Sequence, residues 1–338
     1  MANNNFKAFA GAANANVMTQ ADYEALSALL TGFQSGTAQS QQLNKVWRQS
    51  SIMAAVLAQF IVDLSGQDAI DDGTTATLLT NLKAAIQAQS AAVVGQARNV
   101  SMSVAAASST ATFTADEIVV GSALGGKKYV LGAFNKTVNL TATGAGGMDA
   151  GSAPANGFVA LYAIYNPTTQ ATALLATNAT SAAVPNVYSA GNAPAGYTAS
   201  ALVSVWPTSS NGQFIAGYQV DRQISLVTTV AASTTSQITT LTALTIAVPK
   251  NARTISGWAS VNSLNGVNAQ TNVSGSASTT TLGIGLQQIA GSSTNSGVTS
   301  AGSFNDIPLI TPQTVYWSSY LSSGTFNQGI LYLSKYTF

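Results

Sequence analysis

The chain contains neither histidine nor cysteine in its 338 residues. Without cysteine it has no disulfides, no thiolate metal ligands and no thiol nucleophile. Without histidine it lacks the commonest general base and the commonest ligand of transition metals, and a Ser-His-Asp triad is excluded. We therefore predict no metal and no cofactor.

Charged side chains are also scarce, at 7% of the chain against about 25% in an average soluble protein. Hydrophobic residues reach 46%, so the chain is not of the charged, weakly hydrophobic kind that stays disordered. The formal net charge is +1 and no basic cluster occurs, which predicts no binding to nucleic acid. Hydroxyl and amide groups must supply most of the polar surface.

Long apolar runs are missing too. The longest, residues 52–64, is interrupted by Gln59 and Asp63 and is shorter than the ~20 residues that span a membrane. The first ten residues lack the apolar segment of a secretory signal peptide. We expect no membrane insertion, and synthesis in the cytoplasm.

Helical periodicity dominates the first 95 residues. A capping box at residues 19–22 predicts the start of a short helix. A longer helix is predicted from Ser40, with Gly66 placed to end it. Its apolar residues recur at helical spacing, and we expect Trp47 and Phe60 to lie in the core.

A third helical segment, residues 74–94, follows two aspartates that suit a helix N-terminus. Leu79, Leu82 and Ile86 recur at the spacing of a short coiled coil, which Gln89 continues with one polar interruption. We predict that this seam joins several copies of the chain. A plain amphipathic helix packed on its own domain fits the spacing equally well.

The segment that precedes these helices, residues 3–16, is rich in Asn, Ala and Gly around two phenylalanines, Phe6 and Phe9. We interpret it as an arm that docks on a neighbouring protein through those two rings. A loosely ordered terminus is the alternative, because first residues often lack fixed structure.

Beyond residue 101 the hydrophobic period changes to two, which predicts β-strands. Two long glycine-bearing loops, residues 144–157 and 185–196, have a length that is typical of functional or mobile loops. The strands are predicted at residues 112–120, 128–134, 137–143, 158–165, 171–176, 202–206, 214–220, 241–248, 254–261, 281–289, 314–321 and 329–336.

Four stretches of sequence carry a resemblance to a known family. NNNFKAFA opens the chain and NVMTQADYEALSALLTGFQSG follows it, while GAGGMDAGSAPANGFVALYAIYNPTTQATALLATNAT and PAGYTASALVSVW lie further on. These stretches, all in the first two thirds, resemble tail fibre proteins of tailed bacteriophages and related prophages. The last third of the chain contains no such stretch and resembles these proteins only in its general character.

The resemblance implies a homotrimeric fibre in the virion tail, made in the host cytoplasm. Its N-terminal part would attach to a tail or baseplate protein, and its C-terminal β domains would bind a glycan or protein receptor on the bacterial surface. The fold that we predict is mainly β, with a small α-helical N-terminal head, a short helical neck and two β-sandwich-like modules. The domains are residues 1–95 for attachment, residues 96–225 as fibre body, and residues 226–338 for receptor binding.

Acidic residues are too few in the β-rich part to favour an enzyme. Glycoside hydrolysis generally uses two carboxylates that flank the scissile bond. Beyond residue 95 the acids are Asp116, Glu117, Asp149, Asp221 and Asp306. Asp116 and Glu117 are sequence neighbours, which point to opposite faces of a strand. We therefore predict a binding protein and not a polysaccharide depolymerase.

The candidate receptor-binding residues in the last module are Trp258, Tyr316, Trp317 and Tyr320. Aromatic rings stack on sugars and anchor protein interfaces, while neighbouring amides and hydroxyls bond to sugar hydroxyls. A role in the core accounts for each of these four residues as well.

Two other classes of protein share this composition. The fibre of a tail-derived bacteriocin has the same chemistry as a phage fibre. A bacterial surface adhesin has a similar Ser/Thr-rich β region but requires an export signal, which the first residues do not contain.

Overall fold

A computed structural model describes residues 2–36, 39–88, 92–277, 283–292, 297 and 299–338, with the backbone alone at 266 and 267. The fold is mainly β, with 45% of residues in strands and 15% in helices. The chain forms two compact units, Met1–Ala91 with Lys127–Tyr129, and Ala92–Gly126 with Val130–Phe338. We call the first the helical unit and the second the β unit.

The helical unit contains four described helices. Thr19 caps the first, since its side chain accepts a hydrogen bond from the Asp22 backbone, and Gly66 ends the third in a left-handed conformation with φ of 73°. No described helix has both the length and the apolar character needed to cross a membrane. The helices are α1 (Gln20–Glu24), α2 (Ala28–Thr31), α3 (Ser40–Ser65) and α4 (Ala76–Ala88).

The core of the helical unit is small. Ala58, Ile61 and Ala69 form a buried cluster where α3 and α4 pack together. Because α4 covers one face of the 26-residue α3, the rest of that helix keeps its apolar side chains at the surface. The prediction that Trp47 and Phe60 lie in the core is wrong in this chain, since they are 52% and 37% exposed.

The β unit contains the strands. Several of them alternate between buried and exposed residues, as a half-buried strand does, whereas residues 158–165 and 199–207 are buried on both faces. The strand predicted at residues 158–165 is confirmed with those bounds, and it pairs with the next strand as a hairpin that turns at Asn166. The strands are β1 (Ala97–Arg98), β2 (Ser101–Val104), β3 (Thr110–Gly121), β4 (Lys128–Asn139), β5 (Phe158–Tyr165), β6 (Thr172–Asn178), β7 (Ala199–Pro207), β8 (Gly217–Val220), β9 (Gln223–Thr234), β10 (Ile238–Thr245), β11 (Thr254–Ser274), β12 (Gln287–Gly291), β13 (Thr299–Pro308) and β14 (Thr314–Thr337).

These strands form one 14-stranded sheet in the order β12-β11-β14-β9-β8-β2-β3-β7-β5-β6, with β13 on β11, β10 on β14, and β1 and β4 on β3. The ladders between strands are antiparallel in the described pairs. β9 runs across residue 225, where we predict a domain boundary, and pairs with β8 and β14. The division into three domains stays a prediction.

Two strands are much longer than predicted. β11 extends through residues 262–274, which the sequence presents as a Gly/Ser/Asn-rich joint, and β14 joins two predicted strands into one of 24 residues. β9 and β13 are strands that the alternation did not indicate. The predicted strand at 281–289 begins at Gln287 in the structure, and residues 281 and 282 lie outside the described part.

The core of the β unit brings distant strands together. Tyr336 on β14 is 1% exposed, and its hydroxyl donates a hydrogen bond of 2.6 Å to the backbone carbonyl of Val205 on β7. Four strands separate β14 from β7 along the sheet, so this bond ties two remote parts of the fold. Burial raises the pKa of Tyr336 well above its ordinary value, which keeps the hydroxyl protonated as a donor.

Tyr336→Phe is expected to lower the free energy of unfolding by about 1–2 kcal/mol, because a fully buried hydrogen bond loses its donor. Denaturant unfolding of the full chain measures this change. Tyr218→Phe is the matched control, since the Tyr218 ring is 48% exposed on β8. Equal midpoints for the parent chain and Tyr336→Phe would contradict the assignment.

Candidate functional site

A stacked aromatic pair of the β unit lies within four adjacent strands, β9, β14, β11 and β13. Register places Val230, Tyr332, Trp258 and Ser303 side by side across them. We call these four residues the aromatic row. The rings of Trp258 and Tyr332 stack, with centroids 3.8 Å apart and an angle of 10° between their planes.

The aromatic row lies on the open face of these strands. Ala259 and Leu331, which follow and precede the stacked residues, are fully buried on the other face. Trp258 and Tyr332 are half-buried, Val230 is 58% exposed and Ser303 is exposed. The sheet therefore presents an aromatic pair to the outside with a small hydroxyl residue beside the indole.

The other three predicted receptor-binding aromatics lie elsewhere. Trp317 is 4% exposed and belongs to the interior, so it is not a surface residue of this chain. Tyr316 and Tyr320 are half-buried, and the Tyr320 hydroxyl accepts a hydrogen bond from the Gln270 amide. Tyr320 lies twelve residues before Tyr332 on β14, about 40 Å at ~3.3 Å per residue. The structure therefore does not gather the predicted residues into one site.

Tyr332, the stacking partner of Trp258, is the residue that sequence reasoning missed. It belongs to a predicted strand in which Tyr332 alternates with Leu331 and Leu333. Such alternation of apolar residues is typical of a strand that is covered on both faces, whereas the face that carries Tyr332 is half-open. The pairing of Tyr332 with Trp258 depends on the register of two strands 74 residues apart in sequence, which alternation alone does not specify.

The two long loops are tied to each other by Asp149. Its Oδ2 atom accepts hydrogen bonds from the hydroxyls of Tyr188, at 2.7 Å, and Thr177, at 2.8 Å. Tyr162, whose ring meets Tyr188 edge-on, donates a hydrogen bond of 2.7 Å to the Pro185 carbonyl. These bonds fix residues 144–157 and 185–196 against the hairpin of β5 and β6.

The raised pKa values of the two tyrosines in this cluster keep both hydroxyls protonated as donors. Burial raises the pKa of Tyr162, and the repulsion that a Tyr162 phenolate would meet from an ionised Tyr188 and from the Asp149 carboxylate adds to the effect. Burial and the hydrogen bond to Asp149 raise the pKa of Tyr188. We interpret the arrangement as structural, because the Asp149 carboxylate already accepts hydrogen bonds from two hydroxyls and from the Ala150 backbone.

A second exposed surface lies on the helical unit, along α3. Six large apolar side chains there are between 37% and 67% exposed: Trp47, Ile52, Met53, Val56, Leu57 and Phe60. On α4, Leu79 and Ile86 are 51% and 58% exposed and are seven residues apart, which places them on one side of that helix. We call the six α3 residues the α3 apolar face.

One residue of the predicted seam and one residue of the predicted arm pack against the core of their own unit. Leu82 packs against the buried cluster of its own chain and so does not share the exposed side of Leu79 and Ile86, while Gln89 lies outside the described residues. Phe6 is partly buried and packs against the same cluster. Leu82 and Phe6 thus contribute to the core of their own unit, which spacing alone does not show, while the seam and the docking arm stay predictions.

The arm is ordered on its own unit. The Asn3 backbone donates to Asp68 at 2.6 Å, and Asn4 forms a parallel bridge with Ala69. Phe9 remains 46% exposed, with its ring edge-on to Trp47 at 5.7 Å between centroids. Phe9 is therefore the residue of the predicted attachment pair that is free to contact a partner.

The acidic residues of the described chain are dispersed. No group of three or more Asp and Glu side chains in that part could hold a metal ion. Asp116 accepts a hydrogen bond from Asn99, and Asp221 accepts one from the Val100 backbone. The absence of enzymatic activity stays a prediction.

No protein-family model matches the chain, and no curated protein matches it. The resemblance to tail fibre proteins accordingly rests on the sequence blocks quoted above, and what it implies is treated as a proposal.

Tyr162→Phe is expected to reduce the loss of stability at alkaline pH. A tyrosine whose folded-state pKa is raised contributes stability that is fully present below pH 10 and is lost as the pH rises through the raised pKa. The unfolding free energy of the parent chain should thus fall above pH 10, and that of Tyr162→Phe should fall less. Denaturant unfolding on both sides of pH 10 measures the slopes, with Tyr218→Phe as control. Identical slopes for parent and Tyr162→Phe would refute the role of this hydroxyl.

Proposed function

We propose that this chain is a tail fibre protein of a tailed bacteriophage or prophage. In this proposal the helical unit attaches the fibre to the tail or baseplate, and the C-terminal strands bind a receptor on the bacterial surface. The observation that carries it is the contrast between an ordered helical unit with the α3 apolar face and a charge-poor β unit with the aromatic row. The sequence blocks that resemble tail fibres support the same assignment.

The fibre is a homotrimer in this proposal, with β-sandwich-like modules beyond the helical unit. Residues 46, 53 and 60 of α3 are Val, Met and Phe, and residues 50, 57 and 64 are Ser, Leu and Leu, a heptad pattern with one polar position. Met53, Leu57 and Phe60 are exposed in the single chain. We therefore assign the seam between copies to α3, with Leu79 and Ile86 of α4 as a second candidate strip.

Burial of such a seam contributes favourably to association. Covering a large apolar side chain that water otherwise contacts contributes about 1.5–3 kcal/mol at full burial. The heptad seam contains three such residues per chain that are exposed, Met53, Leu57 and Phe60. Burying them in three copies would offset part of the loss of translational and rotational freedom, which is on the order of 10 kcal/mol for each association step.

Attachment to the tail is assigned to the helical unit through Phe9 and the neighbouring Trp47. Aromatic residues with exposed rings are enriched among interface hot spots. The edge-on contact between the two rings and the hydrogen bond of 2.8 Å from the Phe9 backbone to Ser51 hold this pair in place. Because both rings are already held in place, their binding to a tail protein would cost little side-chain conformational entropy.

Leu57→Asp is expected to shift the purified chain from trimer to monomer at micromolar concentration. Three carboxylates would meet in an apolar seam, and each loses hydration without a partner. Sedimentation velocity measures the change. Leu30→Asp is the control, because Leu30 on α2 is 92% exposed and outside the seam. A parent chain that sediments as a monomer would contradict the trimer.

Phe9→Ala is expected to weaken attachment to fibreless particles roughly tenfold, since an exposed aromatic anchor is removed. Attachment is measured by mixing purified chain with particles that lack their fibre and counting restored adsorption to cells. Phe33→Ala is the matched control, because Phe33 is 49% exposed and Phe9 is 46% exposed. Attachment that is equally strong in both variants would remove Phe9 from the interface, and no attachment of the parent chain would refute the proposed function.

A further inference from the structure

We infer that the aromatic row is a binding site for an uncharged saccharide, which stacks on the face of the Trp258 indole turned away from Tyr332 and lies over Ser303. This inference rests on the proposed function and specifies the receptor chemistry. It also stands on features of the row that are independent of the fibre assignment, namely the geometry of the rings, the size of their neighbours and the lack of charge.

The stacked pair leaves one indole face open. Tyr332 covers one side of Trp258 at 3.8 Å, and the register places Ser303 on the other side. Serine is too short to cover an indole, so within the row no large side chain stands against the second face. Tyr332 also fixes the tilt of the indole, which means that a ligand does not have to order it on binding.

The width of the row is comparable to the length of a short saccharide. Adjacent strands lie about 4.8 Å apart, so the four strands of the row span about 14 Å. The strands of the row are antiparallel, with register shifts next to Trp258 and at Tyr332. A saccharide of a few units can lie along such a surface, with its apolar C–H face on the aromatic ring and its hydroxyls toward the neighbouring strands.

Two amide side chains lie on the same face as the row, further along its strands. Asn305 follows Ser303 by two residues on the same face of β13 and is exposed. On β11, Asn262 lies on the face of Trp258, and its Oδ1 atom, covered by neighbouring atoms, bonds to no described residue.

The charge of the surroundings favours a neutral ligand. None of the four described residues of the aromatic row is charged. The nearest cation on β14 is Lys335, whose ammonium group donates a hydrogen bond to the Gln223 side chain at 3.3 Å. An acidic saccharide would need a free cation close to its carboxylate, because recognition of such groups relies on charge-assisted hydrogen bonds.

A second copy of the chain fits this face less well than it fits α3. Contacts between copies usually bury contiguous apolar side chains. In the described row Val230 is the one aliphatic side chain that is exposed, whereas the α3 apolar face presents six large exposed residues. Around the row, Val227 on β9 is also exposed and Ile330 on β14 is half-buried, so the exposed aliphatic surface here is smaller than that of α3 and is mixed with polar groups.

The test uses the full-length chain on an array of neutral oligosaccharides of hexoses and N-acetylhexosamines, with oligosaccharides that contain uronic acids as comparison. We expect binding to neutral members and a Kd raised about thirtyfold by Trp258→Ala. Ser303→Leu keeps the indole but fills the space beside it, and we expect a similar loss. Tyr218→Ala, which removes an exposed tyrosine elsewhere in the β unit, should bind as the parent does.

Other results would overturn the inference. If no neutral oligosaccharide binds, and adsorption of fibre-bearing particles is abolished by protease treatment of the cells, the receptor is a protein; the proposed function then stands and the saccharide site does not. If Trp258→Ala and Ser303→Leu change the sedimentation of the chain, the face joins copies. If saccharides bind through Trp258 while the chain never associates with tail particles, the saccharide site stands and the proposed function fails.

Discussion

The pairing of β11 with β14 is the constraint on which the rest of the C-terminal structure depends. Their register extends from the pair Thr254 and Thr337 to the pair Ser274 and Tyr316. One half of this ladder is flanked by β13 and β9, and the other half by β12 and β10. A slip of one residue would exchange the buried and open faces, so the ladder alone decides that Trp258 stacks on Tyr332 at the surface.

The helical unit is subject to a different constraint, because its longest helix, α3, has few elements of the described chain to pack against. α3 has 26 residues, yet Ala58, Ile61 and Ser65 are the residues that it buries within the described chain. A face of large apolar residues in water is unfavourable, and the scarcity of charge elsewhere gives the protein little electrostatic repulsion to keep such faces apart. Association through α3 relieves the exposure, and this connects the composition of the chain to the assembly that we propose.

Local signals in the sequence predicted local structure well. α3 begins at the predicted Ser40 and ends where a glycine can adopt the left-handed conformation, and β5 has its predicted bounds. The long strands were missed because glycine, serine and asparagine at residues 262–274 resemble a joint, whereas backbone pairing with β14 holds them extended. Trp47 and Leu82 were misplaced for a related reason. Periodicity identifies an apolar face, but which face is covered depends on tertiary contacts.

The central claim is that the chain is a fibre with a tail-proximal helical unit and a distal recognition surface. Electron microscopy of tail particles with a gold label attached either near residue 2 or near residue 338 measures this polarity directly. The account predicts that the first label lies at the tail or baseplate and that the second lies at the outer end of a fibre. Labels at equal distances from the tail, or particles that carry neither label, would contradict it.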